Sequence, residues 1–332
     1  MNSIVIITIL VVMFALIFDV INGFHDTANA IATAVSTKAI KAPHAIILAA
    51  SMNFIGALSF TGVAKTITRD IVDPFSLPNG SVVILAALIA SIIWNLTTWY
   101  FGIPSSSSHA IIGSIAGAAI AAAGFTSLNY EGFLSIIKGL VLSPIIAFVF
   151  GYIIYSIFKL IFKNNNLAKS NNRFRKYQIF TAALQSFSHG TNDAQKTMGI
   201  ITMALIANGQ LTSNDIPFWV QFACAAAMGI GTSIGGWRII KTVGGKIMKI
   251  RPVNGVAADL TSALIIFGAT YIHIPVSTTH VISSSIMGVG ASHSLKGVKW
   301  NTAQQMIITW VITLPISAML SGIVYLLLGL IF

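Results

Sequence analysis

Two short polar strings interrupt otherwise apolar stretches of the chain: "NGFHDTANAIAT" at 22–33 and "SHGTNDAQKTMG" at 188–199. Each carries one carboxylate, Asp26 or Asp193, beside a histidine (His25, His189) and amides (Asn29 in the first; Asn192 and Gln195 in the second). An ionised carboxylate at the centre of a bilayer costs about 2.5–3.5 kcal/mol on insertion scales. Such a group is kept for what it holds, and since it repels anions its natural ligand is a cation or a proton. The amide oxygens of Asn29, Asn192 and Gln195 suit Na+ as well as a hydrogen-bonded proton, although a buried amide such as Gln195 also serves to stitch helices together. His25 and His189 are candidate proton relays, with packing the commoner fate of a buried histidine. A lone cysteine, Cys224, and no His-x3-His pair leave no recognisable zinc site.

A second pair of strings offers the opposite chemistry. "GIPSSSSHAIIGSIAGA" (102–118) and "HIPVSTTHVISSSIMGV" (273–289) each place a proline, Pro104 or Pro275, where a helix would begin. The hydroxyls that follow are Ser105, Ser106, Ser107 and Ser108 in the first, and Ser277, Thr278 and Thr279 in the second. One membrane serine usually bonds back to its own helix. Two hydroxyl runs beside two helix N-termini, whose free N–H groups and dipoles favour negative charge, make an oxyanion-binding device.

These residues need elements that can carry them into a membrane. Of the 332 residues 55% are hydrophobic and only 8% charged, against about 25% charged in soluble domains. Apolar runs at 3–21, 42–64, 81–101, 133–162, 216–235, 253–272 and 301–332 are each near or above the roughly 20 residues that span a bilayer. Counting five crossings in each half, with broken or re-entrant helices among them, the fold class expected is an all-α polytopic membrane protein of about 10–12 transmembrane segments. The first run lacks a basic leader and a small-residue cleavage site, unlike a signal peptide. Unwound backbone at membrane depth is tolerated only where it lines a cavity or is buried in protein. The long polar-centred stretches 3–39 and 177–208 are therefore expected to be broken helices, with the breaks at Gly23 and Gly190.

The two pairs of strings repeat in the same order, Asp26 to Asp193 at an offset of 167 and His109 to His280 at 171. A unit of five crossings repeated around a short basic linker enters the membrane from the opposite side the second time, which is an inverted-topology repeat. The organisation expected is a first repeat at 1–162, a linker at 163–176 and a second repeat at 177–332. A net charge of +11 would suit nucleic acid in a soluble protein; here the positive-inside rule accounts for it, and no nucleic acid is expected. Placing the loops around Lys38 and Lys41, the linker with Lys159 just before it, Arg238–Arg251, and Lys296 and Lys299 inside puts 15 of the 19 Lys and Arg in the cytoplasm. Both termini are then extracellular, and Asp70, Asp73 and Glu131 balance Lys65, Arg69 and Lys138 outside. Lys196 is left within the membrane, with an electrostatic role the favoured reading.

Nothing points to an enzyme. Ser108 and His109 are adjacent and so lie on different faces of a helix, no G-x-S-x-G elbow appears, and no P-loop is present for ATP.

All four strings resemble the signature segments of the inorganic phosphate transporter (Pit) family, in the right order and over the chain from about residue 10 to its end. The resemblance is to the bacterial low-affinity symporter type. It implies import of inorganic phosphate across the plasma membrane by symport with H+ or Na+, a multi-pass inverted-repeat fold in the lipid bilayer, and, in some members, phosphate carried as a divalent-metal complex. It places the phosphate at Ser105–Ser108, Ser277, Thr278 and Thr279 with Asp26 and Asp193. It places the coupling cation, Na+ included, at Asp26, Asn29, Asn192 and Asp193, with Gln195 beside them. No cofactor is implied, and a homodimer is allowed. One departure stands out: the second copy reads Asp-Ala-Gln-Lys instead of Asp-x-Ala-Asn, which leaves the number of cation sites open. A sulfate or other oxyanion permease remains the nearest alternative, and an anion channel a more distant one.

Overall fold

A computed structural model of the chain describes residues 3–72, 77, 79–163 and 167–331. Asp73 and residues 164–166 of the expected linker lie outside these. Among the described residues there are twelve α-helices, two 3-10 turns and no strand beyond isolated bridges. The first half runs α1 (Ser3–Ser36), α2 (Ala42–Ser59), α3 (Gly62–Asp70), α4 (Gly80–Phe101), α5 (Ser107–Ala123) and α6 (Tyr130–Ile161). The second repeats that order with α7 (Leu167–Ala207), α8 (Phe218–Ile234), α9 (Trp237–Gly245), α10 (Pro252–Tyr271), α11 (Thr278–His293) and α12 (Trp300–Leu328). Even the irregular parts correspond. A 3-10 turn precedes the last helix of each half, and an antiparallel bridge joins Val72 to Leu128 in one and Met248 to Val298 in the other.

Among the described residues six helices, α1, α2, α4, α6, α10 and α12, are long and apolar enough to cross a membrane, and the bent pair α8–α9 makes a seventh candidate. This is a multi-pass membrane protein. The outer faces of α6 and α12 are apolar and exposed, at Val141, Ile145, Val311 and Met319 among others, as a lipid-facing surface must be. The longest helix, α7, is polar along its middle, and those polar residues are buried, Gln185, His189, Asp193 and Lys196 among them. Average hydropathy therefore misses a helix whose polar groups face protein instead of lipid.

The two expected breaks are not there. Both α1 and α7 run unbroken through Gly23 and Gly190. The glycines serve close approach instead. A Cβ on Gly23 would come within 2.6 Å of the Met228 carbonyl of α8, and one on Gly190 within 2.3 Å of the Asn53 carbonyl of α2. The breaks fall elsewhere: the apolar run 42–64 divides at Phe60–Thr61 between α2 and α3, and α8 turns through 74° into α9. Helices α5 and α11, of 17 and 16 residues, are about 25 Å long and begin in the protein interior.

Neither half closes on itself. Helix α1 packs on α8 and α2 on α7, while α5 packs on α12 and α6 on α11, so each half covers apolar faces of the other. Helices α1 and α7 run antiparallel: Asn208 Nδ2 donates to Thr8 Oγ1 (2.6 Å) at one end, and Thr37 Oγ1 to Gln178 Oε1 (2.6 Å) at the other. The second end also gathers the basic loops. Lys299 N donates to Ile247 O (2.8 Å) and Lys159 Nζ to Ser292 O (2.7 Å).

Candidate functional site

Helices α5 and α11 start side by side in the interior, and their first turns are built alike. Ser106 caps α5 by accepting from His109 N at 3.1 Å, and Ser277 caps α11 by accepting from His280 N at 3.3 Å. A capped helix start leaves the next N–H groups, those of Ser107, Ser108, Thr278 and Thr279, without an intrahelical acceptor. Extended residues led in by Pro104 and Pro275 set this geometry, because proline at the entry forbids an earlier helical turn.

Against these starts lie the two carboxylates, each from the middle of the first helix of its half. Asp26 Oδ2 accepts from Ser107 Oγ at 2.5 Å, and Asp193 Oδ2 accepts from Thr278 Oγ1 at 2.9 Å. Those two bonds are the same bond in each repeat. Two others cross between the halves. Asp26 Oδ1 also accepts from Thr279 Oγ1 at 2.9 Å, and Asn29 Nδ2 donates to that same hydroxyl at 2.8 Å. From the other side Lys196 Nζ donates to Ser108 Oγ at 2.6 Å and to Val276 O at 3.0 Å, and pairs with Asp193 Oδ1.

Both carboxylates also meet the histidine of their own string. His25 Nδ1 lies 2.6 Å from Asp26 Oδ1, and His189 Nε2 lies 3.2 Å from Asp193 Oδ2. Ligand atoms of Asp26, His189 and Asp193 fall within 4.8 Å of one another, close enough to share one ion. Every member is buried, Asp26 and Lys196 at 1% exposure and Asp193 at 0%. Charges so placed are tolerated only when paired and hydrogen-bonded. The Asn29 Oδ1 atom has no partner among the described residues, which is the state of an oxygen that a cation can claim.

The remaining candidates are distributed around this centre. Ser105 Oγ bonds Thr98 Oγ1 (2.7 Å), with His25 Nε2 at 3.4 Å. Asn192 spans the loop before α11, accepting from Val276 N (3.2 Å) and donating to Thr270 Oγ1 (3.1 Å). Gln195 points elsewhere: it accepts from Ala64 N (3.1 Å) and donates to Thr191 O, joining α7 to α3. His109 and His280 pack against each other with ring centroids 4.5 Å apart, and His280 stacks on Trp310 at 4.1 Å.

Three residues of the site were not singled out from the sequence. Asn22 Oδ1 is a second acceptor for Ser107 Oγ (2.9 Å). Thr98 meets His25 at 3.2 Å. Asn53 of α2 meets His189 Nδ1 at 3.0 Å and donates to Thr27 Oγ1 at 2.9 Å. A lone amide in the apolar run 42–64 was the available signal for Asn53; nothing distinguishes Thr98 from a back-bonded threonine.

A family profile described as the phosphate transporter family matches residues 22–321. The chain belongs to that family. The matched stretch starts at Asn22, itself a Ser107 partner, and takes in both carboxylate strings and both hydroxyl runs. Among the curated members of the phosphate transporter family it resembles is a probable low-affinity inorganic phosphate transporter of Bacillus subtilis (strain 168), 75% identical over the whole of both chains. A protein of the same description from Rhizobium meliloti (strain 1021) is 45% identical over 94% of this chain and 93% of its own. Among solved structures, one described as the sodium-dependent phosphate transporter superposes with a TM-score of 0.87 at 25% identity, covering 98% of this chain and 100% of that one. Membership of a transporter family is consistent with serines that bind rather than attack.

Proposed function

We propose that this protein imports inorganic phosphate by symport with a cation, Na+ in the first place, through alternating access around the centre that both halves build. The observation that carries this reading is the double use of Asp26, which accepts from Ser107 of one helix start and from Thr279 of the other.

A hydroxyl has one proton to donate. While Ser107, Thr278 and Thr279 give theirs to carboxylates, no such proton is left for a phosphate oxygen. A cation taken by Asp26 and the free oxygen of Asn29 satisfies the carboxylate. The Ser107 and Thr279 hydroxyls, which bond Asp26, then turn their lone pairs to the cation and their protons to the anion, beside the N–H groups of α5 and α11. Phosphate alone could not be desolvated there, and the cation alone would leave the donors facing nothing. Cation and phosphate thus favour each other's binding, which is the coupling a symporter needs.

The antiparallel run of α1 and α7 supports an inverted repeat, in which the two halves exchange roles as the site opens to either side. The clustering of the basic loops at one end supports a cytoplasmic location for that end and for the linker, with both termini outside. Oxygen donors around Asp26, together with the sodium-dependent structural neighbour, favour Na+; the His25–Asp26 contact offers a proton an alternative seat. The test is phosphate binding to purified protein titrated with Na+, at several pH values and with excess sulfate. Phosphate affinity that rises with Na+ and resists sulfate supports the reading. Binding that ignores Na+ and follows pH assigns the role to protons, and full competition by sulfate shifts the substrate to another oxyanion.

A further inference from the structure

The two halves differ at several positions near the site, and one of these puts an ammonium where the other half has an amide. At the offset that brings Asp26 onto Asp193, Asn29 falls on Lys196. Asn29 is neutral, donates to Thr279 and leaves its Oδ1 atom unpartnered. Lys196 puts an ammonium into the matching place, against Asp193 Oδ1, Ser108 Oγ (2.6 Å) and Val276 O (3.0 Å).

That shell of one carboxylate oxygen, one hydroxyl and one backbone carbonyl is what a bound alkali cation would choose, since hard cations take oxygen ligands of these three kinds. Three oxygens also use all three protons of the ammonium. Lys196 is 1% exposed and cannot reach water by stretching along the helix. It has no hydrogen-bonding capacity left for an anion, and Asp193, its direct partner, would hold an anion away.

We propose that Lys196 is a tethered cation: its ammonium permanently fills the cation position of the second half, so that only the Asp26 position takes a mobile ion. The inference rests on the symport reading above and adds a statement about stoichiometry. One half exchanges its cation with every cycle, and the other keeps it. Chemistry that is twofold in the fold thereby becomes onefold in the transported charge.

The test compares the wild type with Lys196→Asn, which copies the first half into the second. Both are purified, checked for monodispersity, and equilibrated with 22Na+ in the presence of saturating phosphate. The wild type should bind one Na+ per chain, and K196N two, with a steeper dependence of phosphate binding on Na+. Lys196→Arg, which keeps the charge, should still bind one. Two sodium ions on the wild type overturn the inference without any variant, which keeps it open to refutation if K196N fails to fold. A folded K196N that still binds one Na+ while losing phosphate makes Lys196 an anion ligand and also overturns it. A wild type that binds no Na+ at all contradicts the sodium-coupled reading itself, and the tethered-cation assignment falls with it.

Discussion

Thr279, at the start of α11, donates its hydroxyl proton across the molecule to Asp26 Oδ1 of α1 at 2.9 Å. Through this bond a carboxylate of the first half sets the position of the α11 start in the second, the helix start proposed to bind the anion. Thr279→Val keeps the volume and removes the donor and lone pairs together. The loss of a bond to a buried charge is worth about 1.5–3 kcal/mol, or roughly 10- to 150-fold, and it should appear in the Na+ dependence as well as in phosphate affinity. Phosphate uptake measured against external Na+ checks this; an unchanged Na+ midpoint would detach Thr279 from the cation.

Ser107 and Thr278 make the repeat-equivalent bonds to Asp26 and Asp193, whereas Ser106 and Ser277 cap their helices. The two kinds of serine should separate experimentally. Ser277→Ala removes a cap worth about 1 kcal/mol and should lower the thermal midpoint more than it changes phosphate affinity. Ser107→Ala should do the reverse. Thermal unfolding in detergent, paired with phosphate binding, reads both, and equal effects from the two substitutions would contradict the division.

Packing glycines supply a prediction independent of transport. A Cβ on Gly190 would sit 2.3 Å from a backbone oxygen of α2, whereas one on Gly268 meets nothing within 4 Å. Gly190→Val should abolish the monodisperse species in size-exclusion chromatography, and Gly268→Ala should leave it intact. A well-behaved Gly190→Val protein would refute the close contact of α7 with α2.

The end of the molecule that gathers Lys41, Lys159 and Lys299 is expected to face the cytoplasm. Single cysteines placed at Lys41 and Lys299 in a Cys224→Ala background should be protected from an impermeant thiol reagent added to whole cells and labelled after permeabilisation. Asp215, exposed beside Lys65 at the opposite end (2.7 Å), should be labelled from outside when replaced by cysteine. The reversed pattern would invert the orientation.

Much of the architecture is legible in the amino-acid sequence. Buried carboxylates in apolar stretches are costly, so Asp26 and Asp193 marked a candidate site, and the hydroxyl runs after Pro104 and Pro275 are the groups they meet in the fold. The repeat was legible because two strings recur in order, and the element sequence carries the same repetition through to its 3-10 turns. What misled was Gly23 and Gly190: a glycine inside a polar string reads as a break, but here it removes a side chain where two helices touch. The same string cannot say which way a side chain faces. Gln195 is one residue from Lys196, yet a helix turn of about 100° per residue sends it to Ala64 instead of the centre. Contacts such as Thr98 with His25 join segments far apart in the chain, and no local pattern records them.

Whether phosphate moves uphill on a cation gradient at a site that needs Asp26 is decided most directly in proteoliposomes. Labelled phosphate is supplied outside, and a Na+ gradient or a pH gradient is imposed separately, with wild type and Asp26→Asn compared. Breaking a buried charged constellation by removing one member costs about 3–5 kcal/mol, on the order of 100-fold or more. Accumulation of phosphate above its external concentration under the Na+ gradient, collapsing when the gradient is dissipated and lost in Asp26→Asn, is the expected result. Equilibration without accumulation under either gradient, or equal accumulation by Asp26→Asn, would contradict cation-coupled phosphate transport at this site.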